Sequence, residues 1–458
     1  VRRSVLGLLA AASLLAAPAG AAEDDEADPS ILDGVPAFAA LAAGRDALAE
    51  QGFRISGFYF SDPRGNLSGG LDKGWTYSGL FKIGVDVDAK TVFGIEGGRL
   101  HADMLQIHGR DVSEEHVGNL LSANDIGARP TTRLFELYWD QEISDRLSVR
   151  LGQMAADEEF MTSAYGENFL DATFGWAGPP SENLPQGGPA YPLAALGAQA
   201  TWKATENFTL VGAVYNGRAA PERYDDDPER GNRHGLNFRL QDAPMVILEG
   251  RYRYNEGEDA AGLPGEIKFG GYGHFGRFDH LKRGTDGLVL GSPGSNDDPR
   301  RRRGNVNLFA IVDQQIWRLP GGDDEQGIGV FARVIAGPSD RNPISTYVDG
   351  GVVARGLVPG RPNDVIGVAY GWADFSPALA DTDRAAHAAA GLDLPARSSE
   401  AVLEATYRAQ IVPGLTVQPT FQYVWRPGGG FAEAESEDEA PKRTRNAKVF
   451  GVATIVRF

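Results

Sequence analysis

An all-β fold is predicted for this sequence: a sixteen-stranded antiparallel transmembrane barrel with long extracellular loops, one or more folded into the lumen, and a short N-terminal helix. Three observations predict it. From Phe53 onward, segments of about ten residues alternate apolar and polar side chains between turn residues. Beyond the N-terminus, no window approaches the run of about 18 apolar residues that a membrane-spanning helix needs. The chain also closes on Phe458 with Val456, Val452 and Phe450 in phase and Arg457 out of phase. Only helices and closed barrels satisfy their backbone groups in lipid, so a membrane protein without such helices crosses as strands.

The N-terminus has the basic, apolar, small-residue order of a secretory signal: Val1-Arg2-Arg3, an apolar run from Val5 to Ala17, then Pro18-Ala19-Gly20-Ala21-Ala22. That run is far short of the roughly 20 residues that span a bilayer, so cleavage after Ala21 or Ala22 is expected. The formal charge of −18 becomes about −20 when Arg2 and Arg3 leave. Such a balance argues against nucleic acid, which needs clustered Lys and Arg. The one basic run, Arg300 to Arg303, reads as a solvated or lipopolysaccharide-facing loop. Cysteine is absent, which removes disulfides, thiol nucleophiles and Cys-ligated zinc. Three regions are expected: a signal peptide at 1–21, a periplasmic segment at 22–52 with a short helix over Ala39 to Gln51, and one barrel at 53–458.

Strands are expected at 53–61, 76–88, 97–108, 132–142, 146–154, 194–203, 207–216 and 244–255. Eight more follow at 266–277, 304–317, 327–336, 346–357, 363–374, 399–411, 414–425 and 446–458. With Phe53 at the periplasmic side, the connections alternate between short turns, such as Glu142 to Asp145 and Val412-Pro413, and long loops. The longest runs from Ala155 to Leu193, too long for a mere connection, and its natural place is inside the lumen.

Alternation assigns the faces. Phe135, Leu137 and Trp139 are expected on lipid against Glu136, Tyr138 and Asp140 inside, and Leu147, Val149 and Leu151 against Arg146, Ser148 and Arg150. Likewise Leu248, Gly250 and Tyr252 oppose Glu249, Arg251 and Arg253, and Leu403, Ala405 and Tyr407 oppose Glu404 and Arg408. Trp139, Trp202 and Trp317 fall at periplasmic strand ends and Trp75, Trp372 and Trp425 at extracellular ends, a pair of interfacial girdles. Trp176 stands apart, in the longest loop.

Catalytic and metal signatures are missing, and neither a cofactor nor a metal is expected. The match to G-x-G-x-x-G at Gly271, Gly273 and Gly276 sits inside a strand with no helix after it, where glycine relieves crowding or permits a bend. The seven histidines form no His-Glu-x-x-His pair. Inward carboxylates such as Glu136 and Asp140 are ordinary for a channel wall.

A barrel of this size leaves an aqueous channel unless loops narrow it. A site for neutral sugars combines an aromatic platform with paired charged or amide groups, and the longest loop holds Phe169, Phe174, Trp176, Asn183 and Tyr191. On the wall, Arg99, Arg150, Arg251, Arg333 and Arg408 fall on the inward phase, and a fixed guanidinium can give two parallel hydrogen bonds to sugar hydroxyls. Each could instead pair with Glu136, Glu249 or Glu404 and only stiffen the wall.

Several blocks, in order along the mature chain, carry a resemblance. They are Leu134-Phe135-Glu136-Leu137-Tyr138-Trp139-Asp140-Gln141, Arg150-Leu151-Gly152-Gln153-Met154, Ala172-Thr173-Phe174-Gly175-Trp176, Gly188-Pro189-Ala190-Tyr191-Pro192 and Tyr215-Asn216-Gly217, with Gln418-Pro419 and Gln422-Tyr423 near the end. In these the chain resembles the OprB-type carbohydrate-selective porins. The resemblance implies a monomeric outer-membrane porin whose inward loops favour glucose and similar small sugars over ions, and it matches Glu136, Arg150, Trp176 and Asn183 to the lumen or constriction. The pore-lining set expected from both grounds adds Arg99, Asp103, Asp140, Glu249, Arg251, Arg333, Glu404 and Arg408. Expected partners are small carbohydrates, outer-membrane lipid and lipopolysaccharide, and the barrel-assembly machinery through Phe458. A general or cation-preferring porin is the alternative, and a barrel enzyme or adhesin a more distant one. The sequence departs from the family at Gly34-Val35-Pro36-Ala37 and in the acidic stretch Glu433 to Glu439.

Overall fold

The computed structural model describes residues 29–256, 260, 262–432 and 442–458. The signal peptide and the acidic stretch Glu433 to Glu439 lie outside the described residues. The periodicity that the sequence carries folds into β1 (Phe53–Gly70), β2 (Gly74–Asp88), β3 (Gly98–Gly109), β4 (Thr131–Ser144), β5 (Leu147–Met154) and β6 (Ala195–Lys203). It continues through β7 (Phe208–Asn216), β8 (Pro244–Tyr254), β9 (Gly265–Gly284), β10 (Pro299–Arg318) and β11 (Gly327–Ala336). The last five are β12 (Ile344–Arg355), β13 (Val365–Phe375), β14 (Ser399–Val412), β15 (Leu415–Trp425) and β16 (Arg445–Arg457).

Each strand pairs antiparallel with its sequence neighbours, and β1 pairs with β16, so the sheet closes with no edge. Closure matters because an unpaired backbone group in hydrocarbon costs several kcal/mol, about the price of a lost hydrogen bond without water to replace it. The outward face is a belt of exposed apolar residues, among them Leu151, Leu248, Val306, Leu308, Val352 and Val368. So much exposed apolar surface is stable only against lipid. Of the six tryptophans expected in the girdles, Trp75, Trp202 and Trp317 are exposed, and Trp139, Trp372 and Trp425 are half-buried.

Three strands outrun their expected ends: β1 reaches Gly70, and β9 and β10 reach Gly284 and Pro299. Their upper parts rise beyond the membrane, where the outer face is wetted and apolar alternation is no longer selected. Phe135 corrects the expected faces. Between Ala102↔Leu137 and Met104↔Leu134 the register slips, so Phe135 and Glu136 together oppose Asp103. The bulge turns both inward: Phe135 is buried against Tyr191, and the Asp103 carboxylate accepts the Glu136 N–H at 2.8 Å.

The helix Ala39–Glu50 precedes β1 and has no buried residue, with Leu41 and Leu48 exposed. It is therefore no plug. The chain before it rests on the β14–β15 turn, where a side chain at Gly414 would meet Ile31.

Candidate channel constriction

The connection from Ala155 to Ala194 lies inside the barrel, because groups on seven strands hydrogen-bond to its backbone or its side chains. Its first N–H, at Ala155, donates to Glu136 on β4 at 2.8 Å. The Met161 N–H donates to Glu249 on β8 at 2.8 Å, Lys268 on β9 donates to the Thr162 carbonyl at 2.9 Å, and Ser163 donates to Asp313 on β10 at 2.5 Å. The N–H groups of Leu170 and Asp171 both reach Glu404 on β14 at 2.8 Å. Arg333 on β11 donates to the carbonyls of Thr173, Gly175 and Met161 at 2.6, 2.7 and 3.0 Å. Asn183 makes a two-way pair with the backbone of Ile344 on β12, at 2.8 and 3.1 Å. Hydrogen bonds to charged groups contribute about 1.5–3 kcal/mol each, so together they fix the loop's course.

Aromatic packing completes the docking. Phe169 and Phe174 pack on each other at 5.2 Å and on Phe331 of β11 at 5.9 and 6.3 Å. Gly367 on β13 makes room, since a Cβ there would come within 2.7 Å of the Phe169 ring. The preceding loop, 110–130, is held in the same way: the N–H groups of Leu120 and Leu121 donate to Glu400 at 2.9 and 2.7 Å, and Gln422 donates to the Ala123 carbonyl at 3.0 Å. Tyr191 ties the two loops together through the Ile126 carbonyl at 2.9 Å.

These contacts sort the expected site residues. Glu136, Glu249, Glu404, Arg333 and Asn183 are loop anchors, all buried. Trp176 is a correction: it is 2% exposed and its indole N–H donates to the Gly187 carbonyl at 3.1 Å, so it fills the loop's own core and offers no face to the channel. Phe169, Phe174 and Tyr191 are buried with it, since a loop of this length in water needs a core of its own. The expected aromatic platform is therefore not presented by this loop.

A second group remains together on the wall as one chain of ion pairs. Arg251 meets Glu249 at 2.7 Å and Glu159 at 2.9 Å; Arg150 meets Glu159 at 3.7 Å and Asp140 at 3.0 Å. Arg99 continues it to Asp140 at 3.1 Å and Asp86 at 3.6 Å. The chain runs from sealed to open: Arg251 is 7% exposed at the side chain, Arg150 9% and Arg99 43%. Arg408, partly exposed, reaches Asn168 of the loop at 3.3 Å.

Four members of this wall escaped the sequence reading, Lys82, Asp86, His101 and Tyr138 as a contact, and so did Glu159 of the loop. Tyr138 is stacked between the His101 ring at 4.8 Å and the Arg150 guanidinium at 4.3 Å, which fixes Arg150 over Asp140. Inward parity was the signal for Asp86, His101 and Tyr138; nothing in the sequence pairs Glu159 with two arginines. His101, Asp103 and Glu136 bring possible metal ligands within 4.8 Å of one another. The Lys82 ammonium, 3.0 Å from Asp103 and 3.2 Å from Glu158, already supplies the cation there.

In the loops, burial pushes the Asp171 carboxyl well above the usual range, with the neighbouring Glu404 adding to it. Asp111 is likewise pushed up to about 6 by burial, against the hydrogen bonds it accepts from the Ser113 N–H and the Ser122 hydroxyl.

Known proteins share this architecture. The high-pH structure of Pseudomonas putida OprB superposes with a TM-score of 0.77 at 20% identity, covering 91% of this chain and 97% of that one. The low-pH structure of the same protein gives 0.54 at 16% identity, covering 91% and 96%. Porin B of Pseudomonas aeruginosa is 24% identical over 407 residues, 84% of this chain and 85% of that protein. The family described as "Carbohydrate-selective porin, OprB family" matches residues 72–458. A closed outer-membrane barrel with loops bound to its inner wall, matched over residues 72–458, makes this chain a member of the OprB family of carbohydrate-selective porins.

Proposed function

We propose that this porin passes small neutral sugars, glucose among them, by passive diffusion past the open end of the Arg251–Arg150–Arg99 chain. One observation carries the reading: Arg99 sits between Asp86 and Asp140, with side-chain exposures of 43%, 25% and 19%. Paired charges leave little net field to concentrate ions, while a half-open guanidinium and its carboxylates can trade one mutual hydrogen bond for a sugar hydroxyl. The deeper pairs cannot do so, being committed to the loop. Passage then costs little, because each exchanged bond is replaced by a similar one.

The test is single-channel current in a planar bilayer with glucose titrated in. Glucose is expected to reduce the current in a saturable way, and Arg99→Ala to weaken that block several-fold while shifting the reversal potential toward cations, since Asp86 and Asp140 lose their partner. Current indifferent to glucose, or reduced equally by a neutral polymer of the same size, would leave a general porin as the better reading.

A further inference from the structure

We infer that the outer face of the β9–β10 hairpin holds a binding site for the phosphorylated headgroup of an outer-leaflet glycolipid, formed by Arg277 and Arg303. The two arginines are directly opposite on adjacent strands, and both are exposed. Like charges in that relation repel and destabilise a sheet. Three neighbouring arginines have carboxylate partners: Arg301 faces Asp279 at 3.5 Å, Arg302 reaches Asp340 at 3.3 Å and Arg341 reaches Asp340 at 2.7 Å. Among the described residues, no ion pair joins Arg277 or Arg303 to a carboxylate, and Asp279, the nearest along the strand, pairs with Arg301. In a chain with a net charge of −18, two cations side by side with no ion-pair partner among the described residues call for an anion from outside.

Local backbone geometry puts them there. Asn305 and Asn307 are buried and face inward, so simple alternation would turn Arg303 inward too. Gly304, at φ +77°, breaks that alternation, and the register slips between Arg303↔Arg277 and Asn305↔His274. The slip consumes Gly276 on β9, the last glycine of the G-x-G-x-x-G match, whose N–H donates to His274 at 3.0 Å. Arg303 thus emerges on the outer face opposite Arg277.

Depth identifies the occupant. Phe275, Val306 and Leu308 are exposed apolar residues at the upper end of the lipid belt. Arg277 lies two residues past Phe275, about 7 Å of strand farther out, where headgroups replace hydrocarbon. Two guanidiniums above an apolar shelf match a phosphate carried on acyl chains, since each fork can give charge-assisted hydrogen bonds to phosphate oxygens. Free phosphate would satisfy the arginines but gain nothing from Phe275, Val306 and Leu308.

Native mass spectrometry of the mature porin tests this with three probes: bisphosphorylated lipid A, its dephosphorylated form, and inorganic phosphate. Wild type is expected to retain bisphosphorylated lipid A, and R277Q/R303Q to hold it about tenfold less tightly, the loss of one or two charge-assisted bonds. R301Q, whose arginine is already paired, is expected to behave as wild type. Melting temperature gives a second readout that does not depend on the double variant. In detergent alone, R303Q is expected to melt at or above wild type because a repulsion is removed; with bisphosphorylated lipid A present it is expected to melt below. Equal retention by the double variant, equal retention of the dephosphorylated lipid, or the same thermal protection from inorganic phosphate as from the lipid would each overturn the assignment.

Discussion

At the scale of residues, Arg333 shows how a charged wall acts as a fastener. Its side chain and that of Asp349 are fully buried, and its guanidinium also holds three loop carbonyls. Removing one partner of a buried pair costs about 3–5 kcal/mol because the other is left uncompensated. Arg333→Ala is therefore expected to lower the melting temperature and raise sugar-free conductance as the loop loosens, with Asp349→Ala in the same chain restoring part of the stability. Trp176 separates packing from contact. Truncating a buried tryptophan costs about 3–5 kcal/mol, so Trp176→Ala should also raise sugar-free conductance; a side chain that only touched sugar would leave that conductance unchanged and weaken block alone. The inward phase of Arg99, Arg150, Arg251, Arg333 and Arg408 was legible in the sequence because parity alone decides it. Of their partners, Glu249 beside Arg251 was legible and Asp349, cross-strand from Arg333, needed only the register; Glu159 and the loop carbonyls were not legible, since they reach the arginines only through the three-dimensional path of the loop.

Elements explain where sequence reading held and where it slipped. Sixteen strands were legible because lipid selects apolar residues at every second position and short turns punctuate them. Phe135 was misplaced because one extra residue in β4 inverts parity, and a bulge leaves no mark on composition. The tops of β1, β9 and β10 were missed because water makes no demand on their outer faces. Loop 110–130 carries a pH dependence of its own. Asp111 titrates near 6 when folded, raised from about 3.8 by burial, while Asp62 raises it further, and Arg64 opposes the shift. A carboxyl raised on folding contributes stability that is complete below its unfolded pKa and lost as pH rises through the folded one. Hydrogen exchange at the Leu120 and Leu121 amides, corrected for intrinsic rates, is expected to quicken as pH rises from about 4 to about 6. Asp111→Asn keeps the acceptor for Ser113 and is expected to flatten that dependence; an unchanged slope would place the titration elsewhere.

For the whole molecule, the decisive event is closure, and the last residue sits on the seam. The Phe458 N–H donates to the Gly57 carbonyl at 3.0 Å and its carbonyl accepts the Gly57 N–H at 3.1 Å, so the terminus completes the β1–β16 ladder. Its ring packs on Phe81 at 5.7 Å and covers Gly57, where a Cβ would come within 2.9 Å of it. The pairing it completes joins segments almost the full chain apart, and such contacts form late because loop-closure entropy must be overcome first. Phe458→Ala keeps the backbone bonds but exposes the glycine and loses the ring contact on the lipid face. It is expected to lower the folded fraction, read as heat-modifiable migration, when the purified chain refolds in lipid vesicles with no other protein present. A deficit that appears in cells but is absent from purified vesicles would instead assign the residue to recognition by the assembly machinery, and normal folding in both would remove Phe458 from closure altogether.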